Sequence, residues 1–307
     1  MSWLPFTGGI LSGIILEKLQ KYLLRGKRLR TSEKKKLHWI RSSQINRKNE
    51  IITMLDGKKL QAYIYSSDTT PEIAPSVLFL HGMGGFAQDF NFESILSSIC
   101  LAGYRVFAYD FRASGSSREK GEPSIFGSLD GEFIQLIFKD VITAIDWMYQ
   151  HEGVDKENLS LIGGSLGGGM VLSSALHDER IKKIIGICAP YDFSDVFRDG
   201  LIEGSLINRL YFKFLFKKLT DIDDFLIKVH DISPIVKIED DFNYENRVFL
   251  AHSQNDQVIP FEKHFIKNVE KMKIPAKNTI IFEKGGHEFT GNSAPLIARI
   301  LYWLGIS

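Results

Sequence analysis

Apolar residues recur along this chain in two rhythms. Short unbroken runs at Val77–Leu80, Val106–Tyr109, Leu159–Ile162, Ile184–Cys188, Val248–Ala251 and Thr279–Phe282 have the length and composition of strands buried on both faces. Between them, apolar positions at helical spacing predict helices over Phe92–Leu101, Glu132–Tyr149, Leu166–His177, Phe261–Met272 and Pro295–Leu304. Strands alternating with helices predict an α/β fold, a mostly parallel sheet with helices on both faces. Ahead of it, "EIITMLDGKKLQAYIYSS" reads as an antiparallel N-terminal hairpin, its two Ile/Thr/Tyr-rich runs meeting at Asp56-Gly57 in a tight primed turn.

The alternation stops between Asp192 and Arg247. There Val196, Phe197, Leu201, Ile202, Leu206, Leu210, Tyr211, Phe214 and Leu215 recur at helical spacing and no strand is read. So long an excursion from a compact sheet predicts a helical cap inserted over residues 193–246 of a domain that spans 50–307.

Residues 1–49 read as a basic amphipathic N-terminal arm. The first fifty residues carry twelve Lys/Arg against three Glu, a charge of +9 that leaves −8 for the remainder of a chain whose net charge is +1. A basic arm on an acidic body points to an anionic surface. The apolar run Trp3–Leu16 contains Gly8, Gly9 and Gly13 and falls short of the roughly 20 residues a spanning helix needs. Continued to Leu24, it sets Leu11, Ile15, Leu19, Tyr22 and Leu23 on one face and Lys18, Lys21 and Arg25 on another. That pattern suits peripheral membrane contact through residues 1–30, or docking on the protein's own body, and it favours a membrane over nucleic acid as the partner. No basic residue precedes the apolar run and no small-residue cleavage site follows it, so a secretory signal is not read. Cys100 and Cys188 sit in apolar runs and are expected as reduced, packed thiols, which suits a cytoplasmic location.

Candidate chemistry begins at "IGGSLGGG". Gly163-Gly164-Ser165-Leu166-Gly167 fits G-x-S-x-G between a predicted strand and a predicted helix, the context that this motif requires. A serine hydroxyl is a weak nucleophile until a neighbouring base removes its proton, and a sharp turn can expose it to base and substrate together. The competing reading is a Gly-rich turn that binds phosphate at the helix N-terminus; no following Lys or G-x-G-x-x-G pattern supports it. "VLFLHGMGGF" supplies a flexible backbone whose Met83 amide could pair with that of Leu166 as an oxyanion hole, with His81 buttressing the loop. Asp256 in "NDQVIP" and His287 in "GGHEF" each follow an apolar strand, at the sheet edge where open α/β folds build their sites. His287 is the candidate base and Asp256 its orienting acid. Asp192 in "CAPYDF" is the alternative acid, and Asp110 is read as an organiser of the Arg112–Ser117 turn. His252, near the active edge, is read as structural; His38, His151, His177, His230 and His264 show no paired metal-ligand spacing.

In order and spacing, "HGMGG", "YDFRASGSS", the serine elbow, "NDQVIP" and "GGHEF" resemble the α/β-hydrolase family from about Glu50 to the end of the chain. The resemblance implies a serine hydrolase that acts through an acyl-enzyme on Ser165, with no metal and no cofactor. Gly164 stands where many lipases of the family have His, which is similar to the prolyl-oligopeptidase-like branch, beside serine aminopeptidases and monoglyceride lipases. Ala113 stands where the family commonly shows Gly. The expected substrate is a small-molecule or lipid ester or thioester with an apolar acyl group; the alternatives are a peptidase or acylaminoacyl hydrolase, and a non-catalytic binding protein of the same fold. The Phe/Tyr/Leu stripe of the insertion either lines an acyl tunnel or packs the cap onto the body.

Overall fold

The computed structural model describes residues 45–88, 90–203, 210, 214–216 and 218–306. The arm's predicted helix over residues 1–30 lies outside them, as do Leu206 and Tyr211 of the insertion. Among the described residues eight strands form one sheet in the order β1-β2-β4-β3-β5-β6-β7-β8. They are β1 Ile45–Thr53, β2 Lys59–Ser67, β3 Ala74–Leu80, β4 Arg105–Tyr109, β5 Val154–Gly164, β6 Ile181–Ile187, β7 Val248–Ser253 and β8 Thr279–Phe282. β1 pairs antiparallel with β2 and β2 antiparallel with β4; every later pair is parallel. The chain therefore has the α/β architecture expected of it. Its first strand begins at Ile45, five residues ahead of the expected start of the domain.

Strand periodicity divides the core in two. Leu78, Leu80, Phe107, Tyr109, Leu161, Ile184 and Leu250 face the helices Gly131–Gln150 and Leu166–Ala175. Their neighbours Val77, Phe79, Val106, Ala108, Ile162, Ile185 and Phe249 face the helices Phe90–Leu101 and Ser293–Leu304. Burial on both faces is why these strands carry no polar alternation. Asp130 caps the helix Gly131–Gln150, accepting from the Phe133 amide at 2.8 Å.

Two local readings change. The Asp56-Gly57 turn is not primed, because Gly57 takes φ +82° while Asp56 stays out of the left-handed region. The Gly57 amide donates to Met54 O and the Met54 amide to Lys58 O, closing a longer turn with a glycine bulge. The Asp56 carboxylate takes part in it, accepting from the Lys58 amide and from Arg112. The helix expected over Phe261–Met272 opens into a wide π turn at Glu262–Ile266 before Lys267–Lys271 resumes α geometry. There the buried His264 accepts from the Tyr191 amide and the buried Asn268 donates to Ala189 O, so two side chains of this segment are tied to the loop after β6.

Between residues 193 and 246 the described residues form helices at Phe193–Arg198, Ile222–Asp231 and Pro234–Lys237, a π turn at Asp199–Glu203, and no strand. The apolar stripe splits. Phe197 and Leu201 are buried, Phe197 meeting Phe225 and Phe216 edge-on, while Ile202, Leu210 and Phe214 are exposed. No helix among the described residues is long and apolar enough to cross a membrane. Cys100 and Cys188 are buried and form no disulfide.

Candidate active site

Sheet order brings the candidates together. β5, β6, β7 and β8 lie side by side and parallel, so residues just beyond their C-terminal ends share one rim: Ser165, Cys188, Asp256 and His287.

Ser165 joins β5 to the helix Leu166–Ala175 at φ +56° and ψ −119°, a conformation costly for a residue with a Cβ. Its amide donates to Ile187 O at 2.8 Å and its carbonyl accepts from the Gly169 amide at 3.0 Å, which pins the turn. A serine at this position normally caps the helix with its hydroxyl; here no capping bond forms, and Oγ lies 3.0 Å from His287 Nε2. The flanking glycines follow from crowding. A Cβ on Gly163 would stand 2.1 Å from Gly167 O, and one on Gly167 would stand 2.2 Å from Leu80 O. No real Cβ tolerates backbone so close, so these positions admit hydrogen alone.

His287 rides on a short turn, Gly286–Glu288, entered through Gly285 at φ +130° and left through Phe289 at φ +51°. Its Nδ1 lies 2.7 Å from Asp256 Oδ2. The tautomer that satisfies both contacts carries the proton on Nδ1, directed at the carboxylate, and leaves Nε2 to accept from Ser165. The second Asp256 oxygen accepts from the Val258 and Ile259 amides at 2.8 and 3.0 Å, so the carboxylate cannot rotate away. Burial raises the Asp256 carboxyl, but the hydrogen bond and charge of His287, helped by the Ile259 amide, outweigh it and hold the group below its ordinary range. The Asn255 side chain accepts from the Gly286 amide at 2.9 Å, tying the loop of Asp256 to that of His287.

Behind this line, the buried His252 contacts Ile259 O through Nε2 at 2.9 Å, while its 3.6 Å approach to Asp256 is too long for a hydrogen bond. Burial pushes its imidazole down, more than Asp256 nearby raises it. It is a structural histidine that braces the Asp256 loop.

The loop after β3 closes the rim's other side. Gly82 packs against Ser165, where a Cβ would stand 3.2 Å from the serine Cβ and 3.8 Å from its Oγ; Met83 is the next residue of this loop, and Leu166 begins the helix after Ser165. His81 accepts from the Phe111 amide at 3.0 Å, consistent with a buttress. Asp110 accepts from the Ser116 and Ala87 amides, each at 2.7 Å, and thereby joins the 112–117 turn to this loop. Ala113 in that turn takes φ +57°, a backbone that suits glycine. The alternative acid is engaged elsewhere, since Asp192 Oδ2 lies 2.8 Å from His230 Nδ1.

Cys188 is the buried, packed thiol expected of it, and what the sequence does not reveal is its position: it stands just beyond β6 on the same rim at φ +45°, with Sγ 3.5 Å from His287 O. The signal is in the strand order, since β6 lies between the strands that precede Ser165 and Asp256.

A family model described as alpha/beta hydrolase fold matches residues 75–204, and one described as BAAT / Acyl-CoA thioester hydrolase C terminal matches residues 141–302, more than half of the chain. YtaP of Bacillus subtilis (strain 168) is 30% identical over 152 residues, which are 44% of this chain and 50% of YtaP. The chain thus spans about half the length of that curated relative. An acetyl xylan esterase from Paenibacillus sp. R4 superposes with a TM-score of 0.66 at 18% identity, covering 87% of this chain and 85% of the esterase. An acylaminoacyl peptidase from Pyrococcus horikoshii gives 0.63 at 16% identity, covering 87% of this chain and 41% of the peptidase. At such identities the two structures speak for the fold alone.

Proposed function

This chain belongs to the α/β-hydrolase fold family, in the part of it that the BAAT / Acyl-CoA thioester hydrolase C-terminal model describes, and from that premise we propose that it is a serine hydrolase cleaving carboxylic esters or thioesters of apolar acyl groups. One observation carries the reading: His287 stands between Asp256 and Ser165 at 2.7 and 3.0 Å, with the serine on a strained, uncapped turn. Ser165 Oγ attacks the acyl carbon while His287 Nε2 takes its proton, and Asp256 stabilises the imidazolium. The amides of Met83 and Leu166 receive the charge that develops on the carbonyl oxygen, each donor contributing about 2.7–4 kcal/mol. His287 then returns the proton to the leaving alcohol or thiol. Water, deprotonated by the same histidine, releases the acid from Ser165.

The matched thioester-hydrolase model and the exposed Ile202, Leu210 and Phe214 of the insertion support an apolar acyl substrate under a helical cap over residues 193–246. Residues 1–30 supply peripheral contact with an anionic membrane in this reading.

A rate series over p-nitrophenyl esters of increasing acyl length, beside an acyl-CoA thioester and an anilide, tests the substrate class. Turnover should rise with acyl length and be negligible on the anilide; faster cleavage of the anilide would select a peptidase instead. A fluorophosphonate probe should label the wild-type protein and spare Ser165→Ala. Absence of labelling on folded wild type would favour a binding protein of this fold. Deleting residues 1–30 should abolish co-sedimentation with anionic vesicles, and retention would remove the membrane contact.

A further inference from the structure

Three metal-binding atoms that the acyl-transfer mechanism never uses together meet beside Ser165. Sγ of Cys188, a carboxylate oxygen of Asp256 and a ring nitrogen of His287 all lie within 4.8 Å of one another. Cys188 and Asp256 are buried, and His287 is partly so. Five non-glycine residues among those described take positive φ, and three of them, Ser165, Cys188 and Phe289, belong to this rim. Strain at Ser165 exposes the hydroxyl, and strain at Phe289 ends the turn of His287. At Cys188 acyl transfer gives the strain no purpose, although such a conformation is costly for a residue with a Cβ. The Cys188 amide donates to Ala251 O at 2.9 Å, and the thiol reaches His287 O, so the residue is fixed with its sulfur toward the base.

We propose that Cys188, Asp256 and His287 form an inhibitory site for a soft divalent cation, zinc above all. Thiolate, imidazole and carboxylate are the donors that zinc takes, and three protein ligands with a water in the fourth place make an ordinary tetrahedral set. Magnesium and calcium are refused, because they require shells of oxygen that this rim lacks. On binding, the Cys188 thiol gives its proton to solvent, and sulfur, nitrogen and oxygen each donate an electron pair to the ion. His287 gives up its Nδ1 proton and takes one on Nε2, so that Nδ1 is free to bind the ion; besides S–H only that N–H bond breaks, one proton is released in all, and nothing is oxidised or reduced. Zinc lies about 2.3 Å from sulfur and about 2.0–2.2 Å from nitrogen and oxygen, which sets its ligands roughly 3.3–3.7 Å apart. The widest pair of the site closes by about an ångström, within reach of side-chain rotation. The Asp256–His287 hydrogen bond opens, and the base is withdrawn from Ser165. That inhibitory consequence rests on the proposed function; the binding itself does not.

Zinc titrated against hydrolysis of p-nitrophenyl acetate, in a buffer without chelators, tests the consequence. Wild type should lose activity and regain it with EDTA. Cys188→Ala and Cys188→Ser should keep kcat/KM within about 3-fold, since the thiol takes no part in acyl transfer, and need at least about 10-fold more zinc for half-inhibition. The binding is read separately with cobalt: one equivalent should give wild type a thiolate charge-transfer absorption that Cys188→Ser lacks. Equal zinc sensitivity of wild type and both variants overturns the proposal, as does the absence of a cobalt band. A cobalt band at Cys188 with undiminished hydrolysis overturns the inhibition, and with it His287 as the base. Wild type that hydrolyses nothing before zinc is added counts against the proposed function and leaves the cobalt titration to decide the site.

Discussion

Asp256, His287 and Ser165 beyond β7, β8 and β5, and Asp192, His230 and Ser233 beyond β6, are the same three side-chain types twice over. Their Asp–His contacts are almost the same length, 2.7 and 2.8 Å between Oδ2 and Nδ1. The order of atoms differs. In the first set the imidazole is central and its far nitrogen meets a serine hydroxyl at 3.0 Å. In the second the carboxylate is central: His230 meets one oxygen, while the other takes the Ser194 amide at 2.8 Å and Ser233 Oγ at 3.1 Å. Ser233 is fully buried; its hydroxyl also reaches Val229 O at 2.7 Å and accepts from the Phe193 amide at 2.9 Å. A hydroxyl so satisfied by backbone is a fastener, here between the helices Phe193–Arg198, Ile222–Asp231 and Pro234–Lys237. A hydroxyl on a strained turn, partly exposed and bonded only through a base, is placed to react. Residue type alone would not have separated them.

The largest expected effects break the first set. Ser165→Ala and His287→Ala should each lower kcat by roughly 10⁴-fold or more, with the urea midpoint close to wild type. Asp256→Asn should cost about 10³–10⁴-fold, because the amide no longer fixes the tautomer that leaves Nε2 to accept. Steady-state kinetics beside circular dichroism checks both. Rates near wild type in any of the three would dissolve the comparison, and so would a loss of similar size in Asp192→Asn.

Much of this arrangement is legible in the sequence, and the parts that are not share a cause. Strands buried on both faces are read directly from their unbroken apolar runs, and β8 falls on the expected residues Thr279–Phe282. β5 starts earlier than its apolar run because Asp155, Lys156 and Glu157 at its exposed end carry no hydrophobic signal. Ser165, Asp256 and His287 are found because each follows a strand, Ser165 and His287 beside paired glycines and Asp256 in "NDQVIP". The π turn at Glu262–Ile266, the positive φ of Cys188 and the pairing of Asp192 with His230 leave no such trace. They arise from contacts between segments distant in the chain, and hydrophobic periodicity reports only on each segment's own neighbours.

His264 sharpens the comparison through pH. It is a buried histidine one segment away from Asp192, accepting from the Tyr191 amide at 3.2 Å, and burial pushes its imidazole down to about 4. Its Nε2 has no hydrogen-bond partner among the described residues. Between the unfolded value of about 6.5 and the folded value of about 4, the unfolded chain binds the proton and the folded chain does not. Stability therefore falls as pH drops through that window, by up to about 3 kcal/mol from this group. The urea midpoint at pH 4.5 should lie well below that at pH 7. His264→Gln, which can still accept from Tyr191, should flatten the slope; an unchanged slope would place the acid sensitivity elsewhere.

The smallest effects belong to the fastener, and they are what separates it from the reactive set. Ser233→Ala strands the buried Phe193 amide and leaves Asp192 Oδ1 with the Ser194 amide alone, a loss of roughly 1–3 kcal/mol in stability with kcat/KM within about 3-fold of wild type. His230→Ala should cost less than about 1 kcal/mol. Its ring is 44% exposed, and Asp192 keeps both Ser194 and Ser233 when the imidazole is gone. Burial raises the Asp192 carboxyl, but its hydrogen bonds with Ser194, together with the hydrogen bond and charge of His230, hold it below its ordinary range. It therefore stays ionised and anchored without the ring at neutral pH. A several-hundred-fold loss of activity in His230→Ala, measured beside an unmoved urea midpoint, would mean that the second histidine touches the reaction after all.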